Sequence, residues 1–430
     1  MKSISALPKI EELLPDVRAT VFPEEFGSLF EVKGARLLQD NAGGVWAFRS
    51  RDLGELAANP AVGNMPADCS LRLGGYILSD TDKESNKGIQ RFFRNLVFTT
   101  NPPVHAARRE VFSRALISKQ ALLLVPLAKH LLRDLIAAAI GRDEIDLPAE
   151  VCAPLAVRFW GTLFGMTEDE VEAVGSLINA MTPLLLFSRT AEETVTANAA
   201  TNSYLELVSH AIHRSVRGGA SEQLQSMAAK FQAIADTGLS DPIGIVIAAN
   251  VLQGFHTAAV AGANCAYQLL RSRVAVETVR LDKNLAQRAV VEGLRLSPPL
   301  VMTLRYALSE LEFADVVIPK GTVIGMLWAA GNRDPDVHNS PNQYDLLRTQ
   351  RADSTFGGGI HVCPGRYVAR MLAEVIVEGI TSSDVRINLT SNDPTWLSDS
   401  FSRQLRCLPV SLERVRKASW CSGSGGPKIG

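Results

Sequence analysis

The chain has almost no net charge. Its 430 residues include 44 lysines and arginines and 45 aspartates and glutamates, which give a formal net charge of −1 at pH 7. A chain so close to neutral has no general attraction to nucleic acid or to anionic lipid. Long apolar runs are scarce in the first third, where residues 121–128 end at Lys129, far short of a membrane span. We therefore expect no nucleic-acid partner and no membrane span.

A secretory signal and a disulfide framework are also missing from the sequence. Lys2, Lys9 and Glu11 interrupt the apolar character that a signal peptide would need. The six cysteines, at positions 69, 152, 265, 363, 407 and 421, show no regular spacing. This pattern fits a reducing compartment, and we expect a cytoplasmic protein.

What the sequence does contain is a globular composition with strong helical periodicity. Hydrophobic residues make up 46% of the chain and charged residues 21%. The predicted helices cover about 104–116, 118–140, 147–164, 168–183, 190–216, 241–272, 283–297 and 366–379. We predict a mostly α-helical single domain over residues 1–415 with a small β region.

The predicted β region has two parts. The first is residues 1–65, with strand-like pieces at 30–32 and 45–48, and the second is about 311–326, with 319–321 as its turn. Residues 66–100 have little periodicity and are predicted to be loop. Residues 416–430 are small and turn-rich, which predicts a disordered tail.

A glycine-rich loop delivers one cysteine and then enters an apolar helix. Residues 356–370 read FGGGIHVCPGRYVAR, and the glycines allow a large flat group to approach the main chain. A thiolate at Cys363 would lie near a helix start, where unpaired amides favour negative charge and a metal-bound sulfur. His361 and Arg370 are expected to meet anionic groups of the same ligand. The loop alone leaves open a buried structural thiol or a zinc ligand, although no zinc-finger spacing is present.

This loop resembles the haem-binding loop of the cytochrome P-450 family, F-x-x-G-x-H-x-C-x-G. Its five fixed positions are Phe356, Gly359, His361, Cys363 and Gly365. The resemblance implies that Cys363 is the axial ligand of the iron in haem b, and that the loop contributes to the cofactor site. Membrane-bound relatives carry an N-terminal anchor, so we expect a soluble member of the bacterial type.

A second segment resembles the family's D-P-P-x-H-x-x-x-R sequence. His105 and Arg109 fall on one helix face after Asn101-Pro102-Pro103, and on their own they are typical of a solvated basic face. The resemblance implies that both bind haem propionates, and that Arg305 is another propionate ligand. Asn101 replaces the family's aspartate, and we expect this change to affect helix capping rather than the cofactor.

The predicted helix from about Asp241, as N-cap, to Arg271 is apolar nearly all round and therefore buried. Its residues 253–258, QGFHTA, resemble the family's oxygen-activation motif, [A/G]-G-x-[D/E]-T-[T/S]. The resemblance implies catalytic roles for Gly254, which would make room for dioxygen, and for His256 and Thr257. His256 stands where the family has an acid. We expect it to titrate near neutrality and to relay protons or hold a polar substrate group; packing is the alternative.

Glu292 and Arg295 are neighbours on one helix face. Alone such a pair is common, but E-x-x-R is similar to a buried structural pair of the family. The usual third partner is a later arginine, and the segment 341–348 makes Arg348 the expected one.

Together these matches imply a cytochrome P-450 fold, with the haem between the long distal helix and the helix after Cys363. The implied activity is insertion of one oxygen atom from O2 into a lipophilic small molecule, such as a terpenoid, steroid or secondary-metabolite intermediate, by hydroxylation or epoxidation. Alternatives are a haem-thiolate protein that binds a gas or ligand without oxygenating it, and an atypical reaction such as carbon coupling or dehydrogenation. The expected pocket walls are about 71–97, 184–187, 251–256, 300–303 and Phe401.

The electrons for this chemistry must come from another protein, since nothing in the chain resembles a flavin or nicotinamide module. A ferredoxin with its ferredoxin reductase is the expected source. We expect it to dock beneath Cys363, at a cluster of the arginines at positions 108, 114, 351 and 366.

Overall fold

A computed structural model describes most of the chain. It covers residues 2–14, 23–64, 86–186, 188–218, 225, 229, 241–349, 353–391, 393–397, 400 and 402–415. The predicted tail at 416–430 lies outside the described residues. So do residues 71–85, Phe187 and Phe401 among the predicted pocket walls.

The α-helices among the described residues are α1 (Ile10–Leu13), α2 (Gly27–Glu31), α3 (Ser50–Ala58), α4 (Lys87–Asn95), α5 (Val104–Ala115), α6 (Ser118–Leu123), α7 (Val125–Ala139), α8 (Ala153–Leu163), α9 (Glu168–Ala180), α10 (Ala191–Arg217), α11 (Ile243–Leu270), α12 (Arg273–Leu281), α13 (Leu285–Leu296), α14 (Trp328–Gly331) and α15 (Arg366–Ile380). Short 3-10 helices lie at Ile4–Ala6, Pro23–Phe26, Val97–Thr99, Thr182–Leu185 and Gly359–His361, and a π-helix at Pro148–Cys152 precedes α8. The prediction of a mostly helical chain with a small β region is confirmed.

The strands are β1 (Leu37–Gln39), β2 (Val45–Ala47), β3 (Val62–Gly63), β4 (Ile145–Asp146), β5 (Thr303–Ala307), β6 (Leu311–Phe313), β7 (Val316–Ile318), β8 (Val323–Met326), β9 (Val385–Leu389), β10 (Thr395–Trp396), β11 (Leu405–Cys407) and β12 (Pro409–Arg414). A five-stranded sheet has the order β1-β2-β8-β5-β3. Its β2–β8 pair is parallel, with Val45 opposite Ile324, and its other pairs are antiparallel. The described residues also form a three-stranded sheet, β4-β12-β9, and two small ladders, β6-β7 and β10-β11.

The long helix α11 is the centre of the larger hydrophobic core. It packs against α15, α10, α13 and α8, and side chains are buried on nearly all of its sides. By length and composition alone it would also pass for a membrane span. Its burial within this helical cluster is that of a globular core helix.

Several sequence predictions of local structure are wrong. Residues 30–32 are not a strand, because Phe30 and Glu31 end helix α2. Residues 87–95, predicted as loop, form helix α4, whose apolar side is buried. The predicted helix 118–140 is divided at Leu124.

The predicted turn at 319–321 is confirmed, because the Thr322 amide donates to the Pro319 carbonyl oxygen at 3.2 Å where the chain passes from β7 into β8. A second turn, at Ala314 and Asp315, both with positive φ, joins β6 to β7. Strands β9 and β12, which lie beyond the two predicted β-rich parts, were also missed.

Candidate functional site

The Cys363 loop is held in place by its own backbone and by helix α3. The Cys363 amide donates to the Phe356 carbonyl oxygen at 2.8 Å, and α15 begins three residues later at Arg366. Gly359 has a φ of +61°, and a Cβ atom there would lie 1.9 Å from the carbonyl oxygen of Ala57 in α3. Only glycine fits this position, because both the backbone conformation and the contact exclude a side chain.

The Cys363 thiol lies in surroundings prepared for negative charge. Burial raises its pKa, whereas the Gly365 amide, the Arg109 and Arg366 guanidinium groups and the Arg366 amide act to lower it. Burial has the larger effect on the free thiol. A metal cation bound to the sulfur would favour the thiolate form in the same direction as these donors and guanidinium groups.

A cluster of basic side chains converges beside this loop. The His105 and His361 rings meet edge to face with centroids 4.2 Å apart, and Arg109 donates to the Val362 carbonyl oxygen. Burial, together with the charges of Arg305 and Arg109, lowers the pKa of His105 to about 4 and that of His361 to about 3. Burial alone lowers the pKa of Arg305 to about 10. No described carboxylate pairs with His105, Arg109 or Arg305. The positive charge of these side chains is therefore not neutralised within the described part of the protein.

These residues fit a haem group. The buried Nε2 atom of His105 has no hydrogen-bond partner among the described residues. Two propionate carboxylates would supply both the missing acceptor and the missing negative charge. Cys363, at the adjoining loop, provides the soft anionic ligand that iron accepts in haem-thiolate proteins. Within the described residues, no group of three or more His, Cys, Asp or Glu could hold a metal ion, which leaves no support there for a zinc site.

Asn101 has a different role from the capping one that was predicted. Its side chain accepts from the Asn64 amide at 2.8 Å and donates to the Asn64 carbonyl at 2.9 Å, whereas Pro103 is the N-cap of α5. The Asn64 side chain in turn reaches Nδ1 of His361 at 3.0 Å. Asn101 therefore supports the Cys363 loop through Asn64. Asn64 was missed because no local motif marks a contact between residues 37 positions apart.

Arg370, which was expected to meet anionic groups of the ligand, contacts two residues at the start of the loop. Its guanidinium pairs with Asp353 at 2.6 Å and lies 4.8 Å from the centroid of the Phe356 ring. In the expected arginine cluster, Arg108 is buried and therefore unsuited to a docking surface. Arg351 lies outside the described residues. Arg114 is exposed but paired with Glu110.

Helix α11 places its motif residues on different faces. A Cβ atom at Gly254 would lie 3.0 Å from three atoms of Trp160 in α8. Gly254 therefore permits close packing of two helices, which corrects the expectation that it makes room for dioxygen. Thr257 faces elsewhere and donates its hydroxyl to the Gln253 carbonyl oxygen. The predicted N-cap, Asp241, bonds Arg91 and Asn95 instead of its own helix.

His256 differs from expectation in its protonation. Its Nε2 atom is buried with no partner among the described residues. Burial lowers the pKa of its imidazole to about 4, so the expectation that it titrates near neutrality is wrong. The ring stays neutral throughout the neutral pH range and keeps one donor and one acceptor nitrogen.

Glu292 joins two arginines in a buried cluster. Arg295 donates to its two carboxylate oxygens at 2.8 and 2.7 Å, and Arg348 donates at 3.1 Å. The Asp345 amide adds a bond of 3.0 Å. Burial acts to raise the pKa of Glu292, but these donors lower it below its ordinary value. The structure thus brings together all three residues of the predicted set.

Comparisons with known proteins agree with this geometry. Residues 282–381 match the family model described as Cytochrome P-450. The chain is 28% identical over 335 residues to cytochrome P-450 107B1 of Saccharopolyspora erythraea, across 76% of this chain and 80% of that protein. It is 26% identical to 6-deoxyerythronolide B hydroxylase of the same organism, across 76% and 80% of the two chains. Among solved structures, P450BioI bound to an acyl carrier protein ligated to hexadec-9Z-enoic acid aligns with a TM-score of 0.78 at 19% identity, over 94% of this chain and 100% of that one.

Proposed function

This chain belongs to the cytochrome P-450 family, and from that premise we propose that it inserts one oxygen atom from O2 into a lipophilic small molecule, by hydroxylation or epoxidation. The protein is a cytochrome P-450 monooxygenase with the family's fold and a haem b cofactor. The roles of single residues, the nature of the substrate and the electron source are parts of the proposal.

The observation that carries the proposal is the convergence of Cys363 with His105, Arg109 and Arg305. A half-buried cysteine with amide donors at its sulfur, beside basic groups that have no carboxylate partner in the described part of the chain, matches a ligand with a metal centre and an anionic edge. Cys363 would hold the iron, while His105, Arg109 and Arg305 would hold the propionates. When bound, the haem supplies the oxygen activation and the oxygen insertion.

The chain's own residues orient and protect this chemistry. The Gly365 and Arg366 amides hold negative charge on the Cys363 sulfur. On the distal side, Thr257 presents a hydroxyl, and neutral His256 offers a donor and an acceptor nitrogen from which a proton can pass. The packed aromatic side chains behind α11 exclude water from that side of the helix.

The test is the absorption spectrum of the reduced carbon-monoxide complex. We expect purified protein to carry haem b and to show the red-shifted Soret band of thiolate ligation. Cys363→Ser should lose that band, and Cys407→Ser, which changes another free cysteine of intermediate exposure, should keep it. Retention of the thiolate band in Cys363→Ser or Cys363→His would contradict the assignment.

We also propose that a ferredoxin and its reductase supply the two electrons in the cytoplasm. The relatives named above are bacterial proteins, and no flavin or nicotinamide motif is present in this sequence. Product formation that requires ferredoxin, reductase and O2 supports this source. Ligand binding without product under these conditions would instead favour a binding protein.

A further inference from the structure

Three polar residues share one face of helix α11, at the level of the proposed oxygen-activation motif. Gln253, His256 and Thr257 stand at positions i, i+3 and i+4, which are neighbours on a helix surface. The intervening Gly254 and Phe255 pack against Trp160 of helix α8. The three polar side chains therefore point away from the α8 helix.

Other amide side chains along this helix are bonded to neighbouring segments. Asn250 accepts from the Val97 amide at 2.8 Å and donates to the Asn95 carbonyl at 2.7 Å. Toward the other end, Asn264 donates to the Ser297 and Arg403 carbonyl oxygens at 2.9 and 2.8 Å. The helix is thus tied to 95–97 on one side of the motif and to 297 and 403 on the other.

Gln253 lies between these two anchors, and its side chain is not tied. It is half-buried, and its amide makes no hydrogen bond to any described residue. Apart from the helix hydrogen bonds of its backbone, its carbonyl oxygen accepts the Thr257 hydroxyl. The Nε2 atom of His256 is buried and likewise unpaired among the described residues. Leaving the buried Nε2 atom of His256 without a partner costs free energy, so a bound molecule that satisfies it and also reaches the neighbouring Gln253 amide is favoured.

We infer that Gln253 and His256 bind a neutral oxygen group of the substrate, a hydroxyl or a carbonyl, beside Thr257. A primary amide and a neutral imidazole each offer both a donor and an acceptor, so they suit an uncharged oxygen better than a carboxylate or an ammonium. The inference rests on the proposed function and deepens it. The substrate class becomes an apolar molecule that carries an oxygen substituent close to the oxidised carbon.

Gln253 was visible in the sequence as a departure, because the family pattern has Ala or Gly at that position. The sequence could not show its importance, because the side chains of Asn250 and Asn264 are bonded to other segments whereas that of Gln253 bonds to none of the described residues. Gln253 is therefore proposed as a specificity-determining residue of the distal side.

Probes that attach to the haem iron test this inference without knowledge of the substrate. We would titrate 4-phenylimidazole and its ortho-, meta- and para-hydroxyphenyl analogues into the holoprotein and follow the Soret shift. Wild type should bind at least one hydroxyl probe about threefold to tenfold more tightly than the plain one, the range of a single net hydrogen bond. Gln253→Met, which keeps length but removes the amide, should abolish that preference and leave 4-phenylimidazole binding within about twofold.

The controls separate failure of the site from failure of the function. Exposed Gln343→Met should change neither probe, and the reduced carbon-monoxide band should stay normal in every variant. Equal affinity for all four probes in wild type, or a hydroxyl preference that survives Gln253→Met, would overturn the inference while leaving the haem assignment intact. If no probe shifts the spectrum of a wild type with a normal carbon-monoxide band, the inference alone fails. If wild type also lacks that band, the proposed function fails with it.

Discussion

Glu292 is a single carboxylate shared by two buried arginines. The side chains of Glu292 and Arg295 are 4% and 2% exposed and that of Arg348 is 6% exposed, so solvent cannot replace a lost partner. Arg295 also donates to the Asn332 and Pro341 carbonyl oxygens at 3.0 and 2.6 Å. The cluster therefore ties helix α13 to the segment that follows α14.

We expect Glu292→Gln to lower the free energy of unfolding by about 3–5 kcal/mol, because it strands two buried guanidinium groups. Urea denaturation measures this loss. Glu55→Gln, which changes an exposed ion pair, should cost about 1 kcal/mol or less. Normal stability and haem content in Glu292→Gln would show that the cluster contributes little to folding or to haem binding.

The stability difference between wild type and Glu292→Gln should depend on pH. The pKa of Glu292 is lowered in the folded state, so its stabilising effect is complete above the unfolded value of about 4.3 and is lost as the pH falls through the lower folded value. The stability difference between wild type and Glu292→Gln should therefore shrink only in acid, below about pH 4. A difference that shrinks above pH 6 would contradict the assigned direction of the shift.

At the scale of elements, the contact between α8 and α11 depends on Gly254. Three Trp160 ring atoms lie 3.0 Å from the place a Cβ would take, so even alanine forces the two helices apart or moves the ring. We expect Gly254→Ala to lower the free energy of unfolding by about 1–3 kcal/mol.

Gly175 provides a matched control inside helix α9. A Cβ there would meet nothing within 4 Å, so Gly175→Ala should instead raise stability by about 0.5–1 kcal/mol, the helix preference of alanine over glycine. Thermal denaturation of both variants should show lower stability for Gly254→Ala and higher stability for Gly175→Ala. Equal effects would mean that the helix contact does not constrain position 254.

Element-level prediction from the sequence succeeded where the signal was local. Thr167 is the N-cap of helix α9 and forms a capping box with Glu170, so the helix begins at Glu168, as predicted. Asp241 misled the prediction because its carboxylate is drawn to Arg91 and Asn95, about 150 residues earlier. Capping preference is a weak local effect that such tertiary ion pairs override.

At the scale of the whole molecule, Arg305 links stability to the cofactor. It is buried in the five-stranded sheet, and burial lowers its pKa to about 10. Without propionates the charge has no carboxylate partner among the described residues. We expect Arg305→Met to stabilise the haem-free protein by about 1–4 kcal/mol, because an apolar side chain replaces an unpaired buried charge.

The haem-bound protein should respond in the opposite way. Arg305→Met should lose haem faster to an excess of apomyoglobin than wild type does, because a propionate loses its guanidinium. Exposed Arg386→Met should change neither measurement. A variant that destabilises the haem-free protein and leaves haem transfer unchanged would show that Arg305 has a structural role only.

The candidate site could be predicted mainly because each part has a compact motif. Cys363, Glu292 and Thr257 lie within short patterns, whereas Asn64 acquires its role through contacts with distant segments. Gln253 differs from Asn250 and Asn264 of the same helix, whose side chains bond to other segments. The β structure was harder to predict for the same reason. Strand β12 pairs with β4, more than 260 positions earlier, and no local period indicates such a partner.

The parallel pairing of β2 with β8 also has a consequence for synthesis on the ribosome. Val45 pairs with Ile324, which lies about 280 residues later in the chain. Synthesis of the residues between them takes roughly 15–55 s at common rates of translation. During this time β2 is a short apolar strand with one free edge, open to pairing with another nascent chain. High yields of folded protein should therefore depend on slow expression or on chaperones that shield this edge until residues 323–326 emerge.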